Sequence, residues 1–176
     1  MNHMNSQNNY SIKNILGLQK RENNEFYTPK ETVENIVNLV IKKLKNKVVW
    51  CPFDTQDSNF VKVLKEKNIS VINTHINIKN GDFYKNKTIP KKWDLILSNP
   101  PFSKKRELIE RCLSFNKDFC LLYGATIFSQ SMGNTLNKCD FWFIQRDVRF
   151  TTDIEGKIKK FQCAWVANKN FFKNVK

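Results

Sequence analysis

The sequence predicts an α/β domain on a mainly parallel sheet that finishes in an antiparallel hairpin. Three observations carry this expectation. Short apolar runs, "VVWCPF", "ISVINTHI", "DLILS" and "DFCLLYGATIF", alternate with segments of helical periodicity, the pattern of strand–helix–strand units. The last third changes character: two β-rich runs, 139–152 and 157–169, are joined by the turn "DIEGK". Finally, 176 residues with a 40% apolar fraction, 14 Phe and 4 Trp are enough for one packed core and too few for two domains.

Each element follows from its own residues. Positions 1–24 are rich in Asn, Gln and Lys and read as a flexible arm, with Ile12, Ile15, Leu16 and Leu18 able to form one docking turn. A single domain is expected over 25–170, followed by a basic tail at 171–176. In "EFYTPKETVENIVNLVIKKLKNK", Thr28 is placed to cap a helix and Pro29 to open it, while Val33, Ile36, Val37, Val40, Ile41 and Leu44 share one face. "VVWCPF" is a buried strand ending in a Pro/Asp turn, "SNFVKVLKEKN" a helix and "ISVINTHI" the next strand. "NGDFYKNKTIPKKW" is a turn-rich connection, and "DLILSNPPF" a strand running into a Pro-Pro loop. "KKRELIERCLSF" is an amphipathic helix with Leu108, Ile109, Cys112 and Leu113 inward, and "DFCLLYGATIF" another strand. In the terminal run Phe161, Cys163 and Trp165 share one face, with Lys160 and Gln162 on the other.

Charge narrows the function classes. Thirty Lys and Arg against 16 Asp and Glu leave +14, a surface that attracts polyanions, although a lysine excess is also what an AT-rich genome writes by default. No run approaches the length of a membrane span, and the polar start, Met1 to Asn9, is unlike a secretory signal. Five cysteines without C-x-x-C spacing, mostly in apolar runs, read as buried thiols of a reducing cytoplasm. With only His3 and His75 beside them, no metal site is expected.

The informative element is Asn99-Pro100-Pro101-Phe102, directly after an apolar strand. In open α/β sheets ligands sit beyond the carboxyl ends of the strands, where strand order reverses. There, two prolines fix φ and leave backbone carbonyls free to accept, Asn99 adds a side-chain acceptor, and Phe102 offers a stacking face. Two acceptors and an aromatic plane suit the exocyclic amine of a planar heterocycle. A base in a duplex must be flipped out to reach such a pocket.

Here the chain resembles the S-adenosylmethionine-dependent amino-group DNA methyltransferases of the adenine-N6 kind, whose signature [D/N/S]-P-P-[Y/F] stands as "NPPF". "EFYTPK" is similar to their N-terminal Y/F-T-P motif, and "GDFY" to their Gly-Asp-Phe segment. The resemblance runs from about residue 25 to 168 and implies a Rossmann-like class I methyltransferase fold with a seven-stranded sheet. It implies S-adenosyl-L-methionine as cofactor, with Tyr27, Thr28 and Pro29 at the methionine end and Asp82 and Phe83 at the adenine. Asn99 and the Pro100 carbonyl, followed by Pro101, would hold the target amine, and Phe102 would stack the base.

Departures from the pattern sharpen the expectations. The family's glycine-rich turn is replaced by Cys51-Pro52-Phe53-Asp54-Thr55-Gln56-Asp57-Ser58, in which Asp54 or Asp57 could bind the amino-acid end. Thr74 and His75 stand where an acidic ribose contact is usual. The W-C-P-F-D pattern resembles a compact phage and prophage subgroup. No separate target-recognition domain is read, so selectivity would be low or supplied by a protein partner. Lys104, Lys105 and Arg106 follow the Pro-Pro loop, and Arg146, Arg149, Lys157, Lys159 and Lys160 lie on the hairpin. They are candidate phosphate contacts, to DNA first and RNA second. The alternative is a methyltransferase-like module that binds nucleic acid or protein without turnover.

Overall fold

The computed structural model describes residues 26–79, 81–152 and 157–175. The expected arm at 1–24 and most of the "DIEGK" turn lie outside the described residues. Helix α1 (Lys30–Leu39) and the short α2 (Ile41–Leu44) precede strand β2 (Val48–Cys51). Then come α3 (Asn59–Glu66), β3 (Ser70–Asn73), β4 (Leu95–Ser98), α4 (Lys105–Ser114) and β5 (Asp118–Gly124). The chain ends with α5 (Gly133–Leu136), β6 (Cys139–Phe143), β7 (Val148–Thr152), β8 (Ile158–Phe161) and β9 (Cys163–Asn168), while β1 (Phe26–Tyr27) stands first.

The main sheet has the order β3-β2-β4-β5-β9-β6. β3, β2, β4 and β5 are parallel neighbours, and β9 runs antiparallel between β5 and β6. The α/β class and the antiparallel finish are as expected, but among the described residues the sheet has six strands rather than seven. The connection between β3 and β4 is polar and rich in Lys and Asn, with no apolar run to add a strand; among its described residues the regular structure is one 3₁₀ turn at Asn86–Thr88. The terminal hairpin also divides. Its base, β6 and β9, closes the main sheet, while its outer half, β7 and β8, joins β1 in a separate three-stranded sheet.

Alternation along the strands sets the layers. Val49, Cys51, Leu95, Leu97, Cys120, Leu122 and Trp165 face α1 and α3, whose Val33, Ile36, Val37, Phe60, Val63 and Leu64 are buried against them. The intervening Trp50, Ile96, Phe119, Leu121, Tyr123 and Val166 face Leu108, Ile109 and Cys112 of α4. All five cysteines are free and buried. Asparagines end the helices: Asn46, Asn68 and Asn116 take positive φ just beyond α2, α3 and α4, the role usually given to glycine. At the other end of α1 the cap falls on Pro29 with no side-chain hydrogen bond, so Thr28 does not cap the helix. Its buried carbonyl instead accepts from Asn59 Nδ2 at 2.8 Å, which pins the α1 entry to the start of α3. Among the described residues no helix is long and apolar enough to cross a membrane.

Candidate active site

The strand order reverses between β2 and β4, so the loops leaving their carboxyl ends diverge and open a crevice. A cavity of about 410 Å³ lies there, within the usual range for small-molecule sites. One wall is the glycine-free turn, where Pro52 to Thr55, Asp57 and Ser58 line the space without filling it. Opposite stand His75 and Gly81 to Tyr84; Asn99, Pro100 and Pro101 form the floor, and Phe26 to Thr28 a fourth side.

Three carboxylates line this cavity, Asp54, Asp57 and Asp82, and among the described residues no Lys or Arg does. In a chain of net charge +14 that segregation gives the cavity lining an acidic character. Asp54 is the most constrained of the three. It is 6% exposed, its carboxylate accepts a short hydrogen bond from the Ser98 hydroxyl, and burial pushes it up to about 6, against the lowering effect of Ser98 and Ser58. The bond joins the turn after β2 to the last residue of β4, one position before Asn99. Ser58 Oγ also accepts from Val61 N at 3.3 Å and caps α3, whose amino end therefore faces the cavity beside Asp57.

The opposite wall depends on close backbone approach. Gly81 packs so tightly that a Cβ there would lie 1.8 Å from the His75 carbonyl oxygen. Asp82 Oδ1 accepts from Tyr84 N at 3.0 Å, fixing the turn, while Asp82 Oδ2 pairs with Lys85 at 3.5 Å. Phe83 is buried with its ring 4.9 Å from Phe53 and 5.5 Å from Trp50, and Arg111 donates from Nε to its carbonyl at 3.0 Å.

The Pro-Pro loop is tied to β1: Asn99 Nδ2 donates to the Phe26 carbonyl at 3.1 Å. That bond settles which amide atom is which, and it leaves Oδ1 buried with no partner among the described residues. The φ of 54° at Lys104, two residues beyond Phe102, is strain at a site-forming loop, because Lys gains nothing from the left-handed region.

Several residues lie elsewhere than the sequence reading placed them. Cys51 points into the core between β2 and the helices, Pro29 stands behind Thr28, and Thr74 is occupied in accepting from Trp50 Nε1 at 3.0 Å; none of the three lines the cavity. Phe102 does not line it either. Its ring packs 5.3 Å from Phe26 and 6.1 Å from Phe161, and it borders a neighbouring open groove with Lys104, Lys105 and Arg106. The tetrapeptide thus has one end on an acidic cavity and the other on a basic groove. Lys159 lies 5.6 Å over the Phe26 ring, while Arg146, Arg149, Lys157 and Lys160 are exposed on the outer hairpin. Sequence reasoning does not single out Ser98, Ser58, Asn59 or Gly81 as site residues. Ser98 had a signal, a polar residue ending an apolar strand; Gly81 had another, as the glycine of "GDFY".

No protein-family model matches the chain. It is 29% identical over 132 residues to the type II methyltransferase M.MgeORF184P of Mycoplasma genitalium, a match covering 59% of this chain and 42% of that protein's length. In structure it is similar to a candidate RNA methyltransferase of Pyrococcus horikoshii, with a TM-score of 0.51 and 12% identity over 92% of this chain and 98% of that one. A precorrin-6y C5,15-methyltransferase of Geobacter metallireducens aligns with a TM-score of 0.44 and 14% identity, over 83% and 93% of the two chains. The fold is that of the Rossmann-like methyltransferases, and methyltransferases of this fold use S-adenosylmethionine.

Proposed function

We propose that the chain transfers a methyl group from S-adenosylmethionine to the exocyclic amine of a nucleobase, with adenine N6 in DNA as the preferred target. The observation that carries the reading is the position of Asn99-Pro100-Pro101-Phe102 between an acidic cavity and a basic groove, with the Asn99 acceptor unpartnered. When bound, the cofactor supplies an electrophilic methyl on a positively charged sulfur. Asp54, Asp57 and Asp82 provide negative charge for its cationic groups, and Phe53 and Phe83 the apolar surface for its ring.

The protein's own contribution is positioning and electrostatics. Asn99 Oδ1 and the Pro100 carbonyl accept from the amine, which draws its lone pair out of ring conjugation and makes the nitrogen nucleophilic. Pro100 and Pro101 have fixed φ and Pro100 keeps Asn99 extended, while the bond from Asn99 Nδ2 to Phe26 stops the amide from rotating. Nucleic acid is the substrate class because the groove beside the tetrapeptide carries Lys104, Lys105 and Arg106 on a chain of +14. A protein partner would refine the choice of site, and one domain over 25–170 would carry the chemistry.

Incorporation of labelled methyl into DNA and RNA by the wild type and by the Asn99→Ala variant tests this. Loss of one of two preorganised groups predicts a rate drop of about 100-fold or more. Equal incorporation by the two proteins removes Asn99 from the mechanism. Absence of both incorporation and cofactor binding in the wild type leaves only a binding module on this fold.

A further inference from the structure

The groove beside Phe102 ends in a feature that methyl transfer does not require. Phe128 and Phe143 are 40% and 65% exposed, with ring centroids 5.3 Å apart and planes tilted by 31°. Phe141 supports them from below, 5.1 Å from Phe128. Large apolar rings exposed together on a strongly charged protein mark a binding surface. Their place is informative. β6 runs in the direction of β5, so Phe143 lies at the same carboxyl edge of the sheet as Asn99. Three strand spacings separate them, about 14 Å. At 3.4 Å per stacked nucleotide, that is the reach of about four nucleotides, and fewer if extended.

Cations occupy the space between. Lys105 Nζ donates to Thr126 Oγ1 at 2.9 Å, and Arg106 donates to the Ser131 carbonyl. Both hold the 125–132 segment, which carries Phe128, against the amino end of α4. Both are paired with neutral oxygens there, so their positive charge stays available to a phosphate. Of the two acids in the groove, Glu107 pairs with Lys104 at 3.7 Å and Glu110 accepts from Thr135 Oγ1 at 3.0 Å.

We infer that this strip binds an unpaired stretch of nucleic acid, with phosphates on Lys105 and Arg106 and a base beside the target stacked on Phe143 and Phe128. The inference rests on the nucleobase reading above and sharpens it: the favoured substrate is single-stranded. A ring can stack only on a base that has left its own helix, and such stacking is indifferent to sequence. The strip therefore grips the strand on one side of the target without reading it.

The test is fluorescence anisotropy with a labelled 12-nucleotide adenine-containing DNA strand and its duplex, without cofactor, so that binding is read apart from turnover. The wild type should bind the single strand more tightly than the duplex. Phe143→Ala, at a surface position whose folding is checked by circular dichroism, should weaken single-strand binding about tenfold and leave duplex binding within twofold. The double variant Lys105→Gln, Arg106→Gln should weaken both and flatten the salt dependence. Equal affinity for strand and duplex, or single-strand binding unchanged in Phe143→Ala, overturns the inference. So does a Phe143→Ala variant whose main change, by sedimentation, is loss of a dimer, since a second copy would then own the surface. Strand binding without methyl transfer would sink the enzymatic reading and leave this one intact; methyl transfer confined to duplex DNA would do the reverse.

Discussion

Asp54 gives the site a pH dependence whose sign and size follow from its surroundings. The carboxyl is buried, and burial raises it from an ordinary 3.8 to about 6 despite its bonds to Ser98 and Ser58. A group raised in the folded state favours folding while it is protonated. Its contribution is fully present below pH 3.8, fades as pH climbs through about 6, and is absent above. At about 1.4 kcal/mol per pH unit, that gap is worth on the order of 3 kcal/mol. The Asp54→Asn variant keeps an acceptor for the Ser98 hydroxyl and has no charge to desolvate. Its melting temperature should therefore escape a fall of roughly 6–12 °C that the wild type shows between pH 4 and 7, taking 2–4 °C per kcal/mol for a chain of this size. Thermal melts by circular dichroism across that range measure the difference. The same charge should serve the ligand: calorimetric affinity for S-adenosylmethionine should rise through about pH 6 in the wild type, and be weaker and flat in Asp54→Asn. Parallel melting curves for the two proteins would refute the assignment of a buried, raised carboxyl.

Other expectations follow from single contacts. Gly81→Ala places a Cβ 1.8 Å from the His75 carbonyl and must displace the wall carrying Asp82, so calorimetry should show cofactor affinity lowered by about tenfold or more. Phe150→Ala empties the contact between the small sheet and the core, where Phe150 is fully buried 5.9 Å from Phe26. Urea unfolding should register a loss of about 3–5 kcal/mol, and cofactor affinity should fall with it as β1 loosens over the cavity. Lys104→Gly relieves a φ of 54°. It should raise the melting temperature by about 2–4 °C, for about 1 kcal/mol of strain, while weakening nucleic-acid binding.

The main sheet was legible because every strand in it announces itself by composition. "VVWC", "LILS" and "DFCLLYG" are apolar on both faces, as strands covered by helices on both sides must be. The small sheet was not. β7 and β8 alternate as a hairpin should, but nothing in "VRFTT" or "KIKKF" says that the ribbon will leave the plane and take Phe26–Tyr27 as a third strand; that is decided by ring packing among Phe26, Phe102, Phe150 and Phe161. The same cluster explains why Phe102 lies off the cavity. A half-buried ring packed against two others, Phe26 and Phe161, gains more by anchoring the small sheet than by standing free in solvent.

The glycine-free turn is the place where sequence and geometry have to be read together. A glycine-rich turn admits a ligand by keeping side chains out of the way, and Cys51-Pro52-Phe53-Asp54 has none to spare. Here the side chains leave by three different exits. Cys51 turns into the core, Phe53 lies against Phe83, and Asp54 folds back onto Ser98. Close approach of bare backbone is still needed, and it occurs across the cavity, where Gly81 meets His75. The Asp54–Ser98 bond adds a link that a bare glycine turn cannot make, because it fixes the donor-side loop to the strand end bearing Asn99. Occupancy of the acidic cavity should therefore stiffen the Pro-Pro loop. Hydrogen exchange supplies the check: S-adenosylmethionine should slow exchange at Phe102 and Ser103 in the wild type and not in Ser98→Ala. Equal protection in both would show that the two loops act independently.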